Sequence, residues 1–442
     1  MPHMELEDVR PGFNIHGGDA IEQCDRLTSD LLDRWQPLAD WAQARAESHL
    51  DLSFKSAATG IAPRIAGHDL LGRRIAGLNF ASHDALAFSS DPRVVAACCR
   101  AAEIHGVHSA GSAAQMGLTG ITLELERRMA AFLGMAEAIL FPTGWSAGQG
   151  TLRTLVGPED HVVIDSLTEA GLIDAAMAAT PNVHRFPHRS NAAVERRLEA
   201  IRRGRSNAGI LVVTQALSPH EGTSPDVAAL QAICRRHGAI LLVDVAHDLG
   251  SLGETGRGVL EEQGMVGKVD VVIGTLSRAF ASNGGFAASN HPGLKAALKV
   301  HAWPIAASSA LAPMQAAAAV QSLAIAASAE GRTLRERLRI NAVRLREGLI
   351  GHGFKVLGRP AATIPVVLGD NALARQMTST LVANGGIINL LEAPAVPRDK
   401  ARWVIQMMAS HEDADIDQFV ALAVEARAHA QMKVFGRLGY LR

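Results

Sequence analysis

Tyrosine is almost missing from this chain. The one example, Tyr440, stands two residues from the end, so no tyrosine acid is expected in a pocket. Aromatic residues of all kinds reach only 4%, and seven lysines face 36 arginines, which leaves few candidate amine nucleophiles. The four cysteines, Cys24, Cys98, Cys99 and Cys234, lack metal-ligand spacing and two of them are adjacent. They are expected to be reduced, mostly buried, small apolar residues. No apolar run approaches the ~20 residues of a membrane span, and the N-terminus Met1-Pro-His-Met-Glu-Leu-Glu-Asp8 is acidic rather than basic. A cytoplasmic protein without a membrane span is expected. The formal net charge is −1 with both signs interspersed, which excludes a nucleic-acid face and a polybasic membrane patch as organising features. Repeats and low-complexity tracts are also lacking.

What remains is a chain of 442 residues, 48% hydrophobic and 20% charged, enough for a large domain with a smaller one attached. Residues from about 18 to 49 carry apolar positions at helical spacing until Gly60-Ile-Ala-Pro63 breaks the pattern, which predicts an N-terminal helical arm for packing or dimerisation. Short β-rich runs follow, separated by helical stretches: Ala138–Phe141, His161–Asp165, Gly209–Thr214, Ala239–Asp244 and Val269–Ile273. Continuous apolar strands of this kind predict an α/β fold with a mostly parallel central sheet covered on both faces. Ligands bind such sheets at the carboxyl ends of the strands. The Ala-rich, then charged, segment 306–350 predicts one long connecting helix. Thr363–Leu368 and Trp403–Met407 belong to a smaller C-terminal α+β domain. The expected division is 1–60 arm, 61–305 large domain, and 306–442 connecting helix with small domain.

Three strand-end motifs carry the chemistry. Asp244-Val-Ala-His247-Asp-Leu-Gly250 places a carboxylate at a buried strand end with a histidine three residues on. Gly274-Thr275-Leu-Ser277-Arg278 ends a second strand. Phe141-Pro-Thr143-Gly144-Trp145-Ser146 opens a helix whose first amides suit a phosphate. Together with Asn79-Phe-Ala-Ser82-His83-Asp84 and Pro394-Ala-Val-Pro397, these motifs resemble the α-oxoamine synthases, the pyridoxal-phosphate (PLP) family of fold-type I that includes aminooxononanoate synthase and serine palmitoyltransferase. The resemblance covers residues 76 to about 425. It implies the aspartate aminotransferase-like fold and joining of a small-molecule acceptor to an acyl thioester, carried by coenzyme A or a carrier protein. It also implies a homodimer. In the family's pattern Asp244 pairs with the pyridine nitrogen and His247 meets the ring hydroxyl. Thr143, Gly144, Trp145, Thr275 and Ser277 surround the phosphate, and Ser308 and Ser309 reach it from the partner subunit.

The departures from that pattern say more than the matches. Arg278 stands where the family has its Schiff-base lysine, and a guanidinium cannot act as the neutral amine that attacks an aldehyde. Glu169, in Asp165-Ser-Leu-Thr-Glu169, replaces the ring-stacking histidine. His83 and Val404 fall on positions that hold the amino-acid carboxylate, with Arg402 two residues away on the same strand face. A covalently held cofactor is therefore not expected, whereas noncovalent PLP or pyridoxamine phosphate stays open. Arg278 serves either a structural ion pair, with Glu169 for example, or an anion. Asp244 and His247 form either an acid/base pair or an inherited hydrogen-bond network. Glu169 is a base if burial raises its pKa and a spectator if Arg278 lowers it. His220 reads as a loop histidine, Trp145 as packing in the phosphate turn or cover for a flat ligand. His105 and His108 have i, i+3 spacing but no evident third metal ligand, and no metal is expected. Three functions compete: an acyltransferase without lysine-bound PLP that uses His247, Glu169 and Arg278, a silent partner subunit of a PLP-dependent paralogue, and an enzyme of noncovalent PLP. The first is favoured.

Overall fold

The computed structural model describes residues 14–204 and 207–439, with side chains up to residue 433. Near the N-terminus lie β1 (Ser56–Ala57), β2 (Arg64–His68) and β3 (Arg74–Asn79). The centre is a seven-stranded sheet of β4 (Glu137–Phe141), β5 (His161–Asp165), β6 (Val183–Phe186), β7 (Ile210–Gln215), β8 (Ile240–Asp244), β9 (Val271–Thr275) and β10 (Gly285–Ser289). Its order is β4-β10-β9-β8-β7-β5-β6, parallel throughout except for β10, which runs antiparallel to both neighbours. Helices cover both faces, so Val162, Val163, Val212, Val213, Leu241 and Leu242 are all closed to solvent. Burial on two faces is why these strands are continuous apolar runs rather than alternating ones. The carboxyl ends of β5, β7, β8 and β9 present Asp165, Gln215, Asp244 and Thr275 along one edge.

The C-terminal part adds β11 (Lys355–Val356), β12 (Thr363–Gly369), β13 (Gly386–Ile387), β14 (Leu390–Leu391) and β15 (Ala401–Gln406). An antiparallel sheet of order β11-β12-β15-β14 forms here, while β13 pairs in parallel with β3 and completes a sheet with β1 and β2. Residues 64–79 and 386–387 thus share one sheet. His411 joins the same region: its Nδ1 accepts the Met408 amide at 3.0 Å, its Nε2 donates to the Asn79 carbonyl at 3.0 Å, and its ring stacks on Phe80 at 4.2 Å. Burial holds this imidazole down at about 4. A depressed histidine favours the neutral folded form, so its contribution is complete above pH 6.5 and is lost as pH falls towards 4. Urea unfolding between pH 7 and 4 should lose on the order of 3 kcal/mol more in wild type than in His411→Gln. Equal slopes would show that His411 does not drive acid sensitivity.

Two expected elements differ. The arm is helical only over Gln36–Glu47, preceded by short 3₁₀ turns at Ala20–Gln23 and Asp33–Trp35. Asp19, Asp25 and Asp30 accept nearby backbone amides (Ile21, Leu27 and Leu32 among them), and such local bonds compete with a continuous helix. The connecting segment is two helices, Pro313–Ala326 and Ala329–Gly351. Ser328 donates back to the Ile325 carbonyl at 2.7 Å and caps the second helix. Gly331 allows the close turn, since a Cβ there would lie 2.2 Å from the Ala326 carbonyl oxygen. The cysteines are free, but only Cys234 is buried, and Cys99 is exposed on the outer face of helix Pro92–His105. Neighbouring helix residues point about 100° apart, so the Cys98–Cys99 pair cannot both turn inward. Among the described residues no helix is long and apolar enough to cross a membrane.

The arm is clamped to the small domain by Arg375, whose side chain is fully buried. Its guanidinium donates to Glu392 at 2.7 Å and to the carbonyls of Ile15, His16 and Gly18 at 3.1, 2.7 and 2.7 Å. Together with Arg45 it also packs over Trp41. A lysine keeps the charge but loses the planar fork and at least two of these bonds. Arg375→Lys should therefore cost about 2 kcal/mol in denaturant unfolding and raise protease cleavage near residues 15–20. Unchanged stability and cleavage would remove the clamp.

Candidate functional site

The turn after β5 sets the first wall. Asp165 accepts the Leu167 amide at 3.0 Å and receives His188 Nδ1 at 2.7 Å, while His188 Nε2 meets the Thr223 hydroxyl at 2.8 Å. This chain fixes the turn that delivers Glu169 to the head of helix Ala170–Ala179. His188 was not among the residues singled out by sequence, because its partners lie 23 and 35 positions away.

Glu169 and His247 meet across the carboxyl edge, with Oε1 and Nε2 2.7 Å apart. The histidine is buried, whereas the Glu169 side chain keeps 41% of its surface exposed. The carboxyl group is held at about 2, first by the His247 hydrogen bond, with the charges of His247, Arg278 and His220 adding to it against the opposing effect of burial. Glu169 is therefore lowered rather than raised, as a carboxylate that accepts the ring hydrogen. The expected Asp244–His247 pair does not form. Asp244 instead accepts the Ala246 amide at 2.9 Å and Gln215 Nε2 at 3.3 Å. A carboxylate at the strand end aims along the sheet, towards its own turn, and not back at the residue three positions on. Complete burial and the nearby Glu169 push Asp244 up to about 7.

Arg278 follows β9 and lies close to both carboxylates, yet its guanidinium makes no hydrogen bond or ion pair among the described residues, and its Nε is buried. The expected Arg278–Glu169 pair is thus a longer-range attraction rather than a contact. Burial lowers the Arg278 pKa, and Glu169 and Asp244 oppose the change. His247 Nδ1 is likewise buried without a partner. Both side chains border a void of about 10 Å³, room for about one water molecule, whose other walls include His83, Ser251, Thr363 and Gln406. His83 lines this space but is an exposed residue. The enclosing wall first, then Arg278 and His247, push it down to about 3. His220 sits on the far side of Glu169 and is lowered mainly by burial.

Arg402 does not reach this space. Its Nη1 donates to the His220 carbonyl at 2.5 Å and to Glu221 at 2.9 Å, and the side chain is buried under the 220–222 loop. The alternation along β15 puts 402, 404 and 406 on one face. Gln406, absent from the sequence candidates, is the residue of that row that lines the void.

At the other end of the cleft, Thr143 caps helix Gly144–Leu155 by accepting the Ser146 amide at 3.0 Å. Gly144 lies against Thr275, where a Cβ would come within 2.5 Å of the threonine Cβ. The Thr275 and Ser277 hydroxyls are 2.8 Å apart. Two helix amides, two hydroxyls and the helix dipole thus meet in one place suited to a phosphate. Trp145 does not pack in this turn: it is 67% exposed, with one ring edge over Gly171. Ser308 and Ser309 are exposed, and Ser309 pairs with Ser112 in the loop after helix Pro92–His105. His105 and His108 belong to no cluster of metal ligands among the described residues.

The family model for aminotransferase class I and II matches residues 76–422. An 8-amino-7-oxononanoate synthase of Geobacter metallireducens is 33% identical over 341 residues, covering 77% of this chain and 86% of the relative. The synthase of Salmonella dublin is 33% identical over 355 residues, covering 80% and 90%. Among solved structures, a serine palmitoyltransferase of S. paucimobilis with a bound PLP–myriocin aldimine superposes with a TM-score of 0.84 at 28% identity, over 91% of this chain and 100% of the other. The Sphingomonas wittichii serine palmitoyltransferase gives 0.83 at 29% identity, over the same shares.

Proposed function

Because the chain belongs to the aminotransferase class I and II family, a PLP-dependent family with the aspartate aminotransferase-like fold, we propose that it is an acyltransferase acting on an acyl thioester without lysine-bound PLP. The thioester is carried by coenzyme A or a carrier protein, and the acceptor is a small molecule. The observation that carries this reading is the 2.7 Å Glu169–His247 pair, with His247 Nδ1 and Arg278 Nε both buried without a hydrogen-bond partner among the described residues.

The residues fit only one end of PLP. The Thr143–Trp145 turn with Thr275 and Ser277 suits its phosphate, and Ser308 and Ser309 would approach from a second copy. At the other end Arg278 supplies no amine, and one of the two His247 nitrogens is taken by Glu169. The chemistry therefore falls to the side chains. His247 Nδ1 takes the proton of the acceptor as it attacks the thioester carbonyl, with Glu169 orienting the ring and stabilising its positive charge. Arg278 faces the oxygen that becomes negative. Collapse breaks the carbon–sulfur bond, and Nδ1 returns its proton to the leaving thiolate. Free thiol and acylated acceptor are the products. Incubation with a panel of acyl-coenzyme A and acyl-carrier-protein thioesters should release thiol and raise the melting temperature. If neither happens with any thioester, the reading fails.

A second reading keeps noncovalent PLP or pyridoxamine phosphate. Asp244 favours it, as a buried carboxyl group with no ion-pair partner among the described residues, at the position that would face a pyridine nitrogen. A visible absorption band on cofactor addition, and no mass gain after borohydride, would support that reading over the first. For the assembly we propose a homodimer. Ile104, Val107 and Met116, around residues 106–117, and Trp303, shortly before Ser308, are large apolar side chains left exposed, as a surface covered by a second copy would be. A stable homodimer with its own activity would set aside the silent-subunit alternative, whereas co-purification with a lysine-bearing paralogue would favour it.

A further inference from the structure

The free edge of the central sheet carries positive charge that no described residue balances. Helix Asn191–Gly204 runs beside β6, the last strand in the sheet order. Val194, Leu198 and Ile201 form its buried stripe at i, i+4, i+7. Ala193, Arg196, Arg197 and Ala200 form a second stripe, and together with Arg185 of β6 they line an open concavity of about 360 Å³. The two alanines leave room that larger side chains would fill. The rest of the lining is apolar, from Val163, Phe186 and Pro187.

Arg185, Arg196 and Arg197 are exposed, and none makes an ion pair or side-chain hydrogen bond among the described residues. No acid lines the concavity. The helix's own acids are engaged elsewhere: Glu195 accepts Arg236 at 2.5 Å, and Glu199 gathers with Glu195 and His237. Arg203, two turns on from Arg196, is exposed and free in the same way. Its charge extends the face beyond the concavity. An exposed edge strand is often guarded by a charge, and Arg185 alone would do that. Arg196 and Arg197 sit on the helix and guard no strand edge, so the cluster calls for an anionic partner.

The nature of the partner follows from exposure and place. A small-molecule site encloses most of its ligand, whereas guanidiniums on an open face steer and hold a protein surface of opposite charge. His188 follows Pro187 and holds the Asp165 turn that delivers Glu169. β6 lies three strand spacings from β8, about 14 Å, along the edge where Asp244 ends. A phosphopantetheine arm has about thirteen bonds from sulfur to phosphorus, roughly 15 Å when extended. A carrier docked at β6 can therefore lay its thioester over the Glu169–His247 pair. We propose that this face docks an acidic carrier protein, which makes the thioester's carrier a protein rather than free coenzyme A. The inference rests on the acyl-transfer reading above and adds its donor class.

The test compares one acyl group on the holo-acyl carrier protein of fatty-acid synthesis and on coenzyme A. The Arg196→Glu/Arg197→Glu double variant is expected to raise KM at least about tenfold for the carrier-protein thioester, with kcat unchanged, and to leave KM for the coenzyme A thioester within about twofold. Raising salt from about 50 to about 500 mM should likewise raise the wild-type KM for the carrier-protein thioester alone. Arg185→Ala serves as the second variant should the charge reversal disturb the fold. An equal rise for both thioesters overturns protein docking, because the face then reads the phosphate that they share. An unchanged KM for the carrier-protein thioester in both variants overturns it as well. Turnover of neither thioester counts against the proposed reaction, and fluorescence anisotropy of labelled holo-carrier protein without an acyl group then decides the face by itself. Binding that the double variant weakens at least about tenfold supports docking, and the absence of wild-type binding removes it.

Discussion

Replacing His247 with alanine is expected to lower kcat for acyl transfer by about 10³- to 10⁴-fold while moving KM far less. The imidazole has one nitrogen fixed by a carboxylate and the other without a hydrogen-bond partner among the described residues. Asp244 is turned towards its own loop, and His83, held at about 3, is a poor base. Glu169→Gln should cost less, on the order of 10²-fold, because an amide can still accept the ring hydrogen but cannot balance a positive ring. The double variant should be no worse than His247→Ala alone, since the two residues act as one unit. The pH profile separates this from a structural role. Glu169 titrates at about 2, so its assistance is present above the ordinary carboxyl range and is lost only as pH falls towards 2. A rate that falls with a carboxyl-like step above pH 4 would contradict the geometry. Retention of activity within about threefold in His247→Ala would sink the mechanism.

The strands were readable because burial on both faces turns each into a short apolar run, and the observed β5 and β8 end at the residues the pattern marks. Turn chemistry was harder to read. Ser328 splits the connecting helix with one hydroxyl, and Asp19, Asp25 and Asp30 divert residues 19–33 of the arm into caps. At the site, sequence spacing favoured the wrong carboxylate. Asp244 is three residues from His247, but Glu169, 78 residues away, makes the bond. Nothing local announces a contact between two strand ends. The row 402, 404, 406 was legible as one strand face, yet which member reaches the cleft depends on the 220–222 loop, which covers Arg402 and leaves Gln406 to the void. Arg278 was conspicuous from the start, and the structure adds that its charge is not spent on an ion pair.

Restoring lysine at 278 is expected to damage the chain's own reaction without recreating a covalent PLP site. Arg278→Lys removes the planar guanidinium and puts a compact, strongly hydrated charge in its place, so acyl transfer should fall by about 10³-fold. The new amine alone should retain little PLP after borohydride reduction, because Glu169 still spans to His247 and holds negative charge across the space a ring would need. Combining Arg278→Lys with Glu169→His removes that barrier and frees His247 Nε2. The double variant is expected to retain the cofactor covalently, read as a mass increase of one pyridoxyl group per chain. Should the single variant label as fully as the double, Glu169 would not be what excludes the ring. Should Arg278→Lys keep full acyl transfer, the guanidinium would have no part in the reaction.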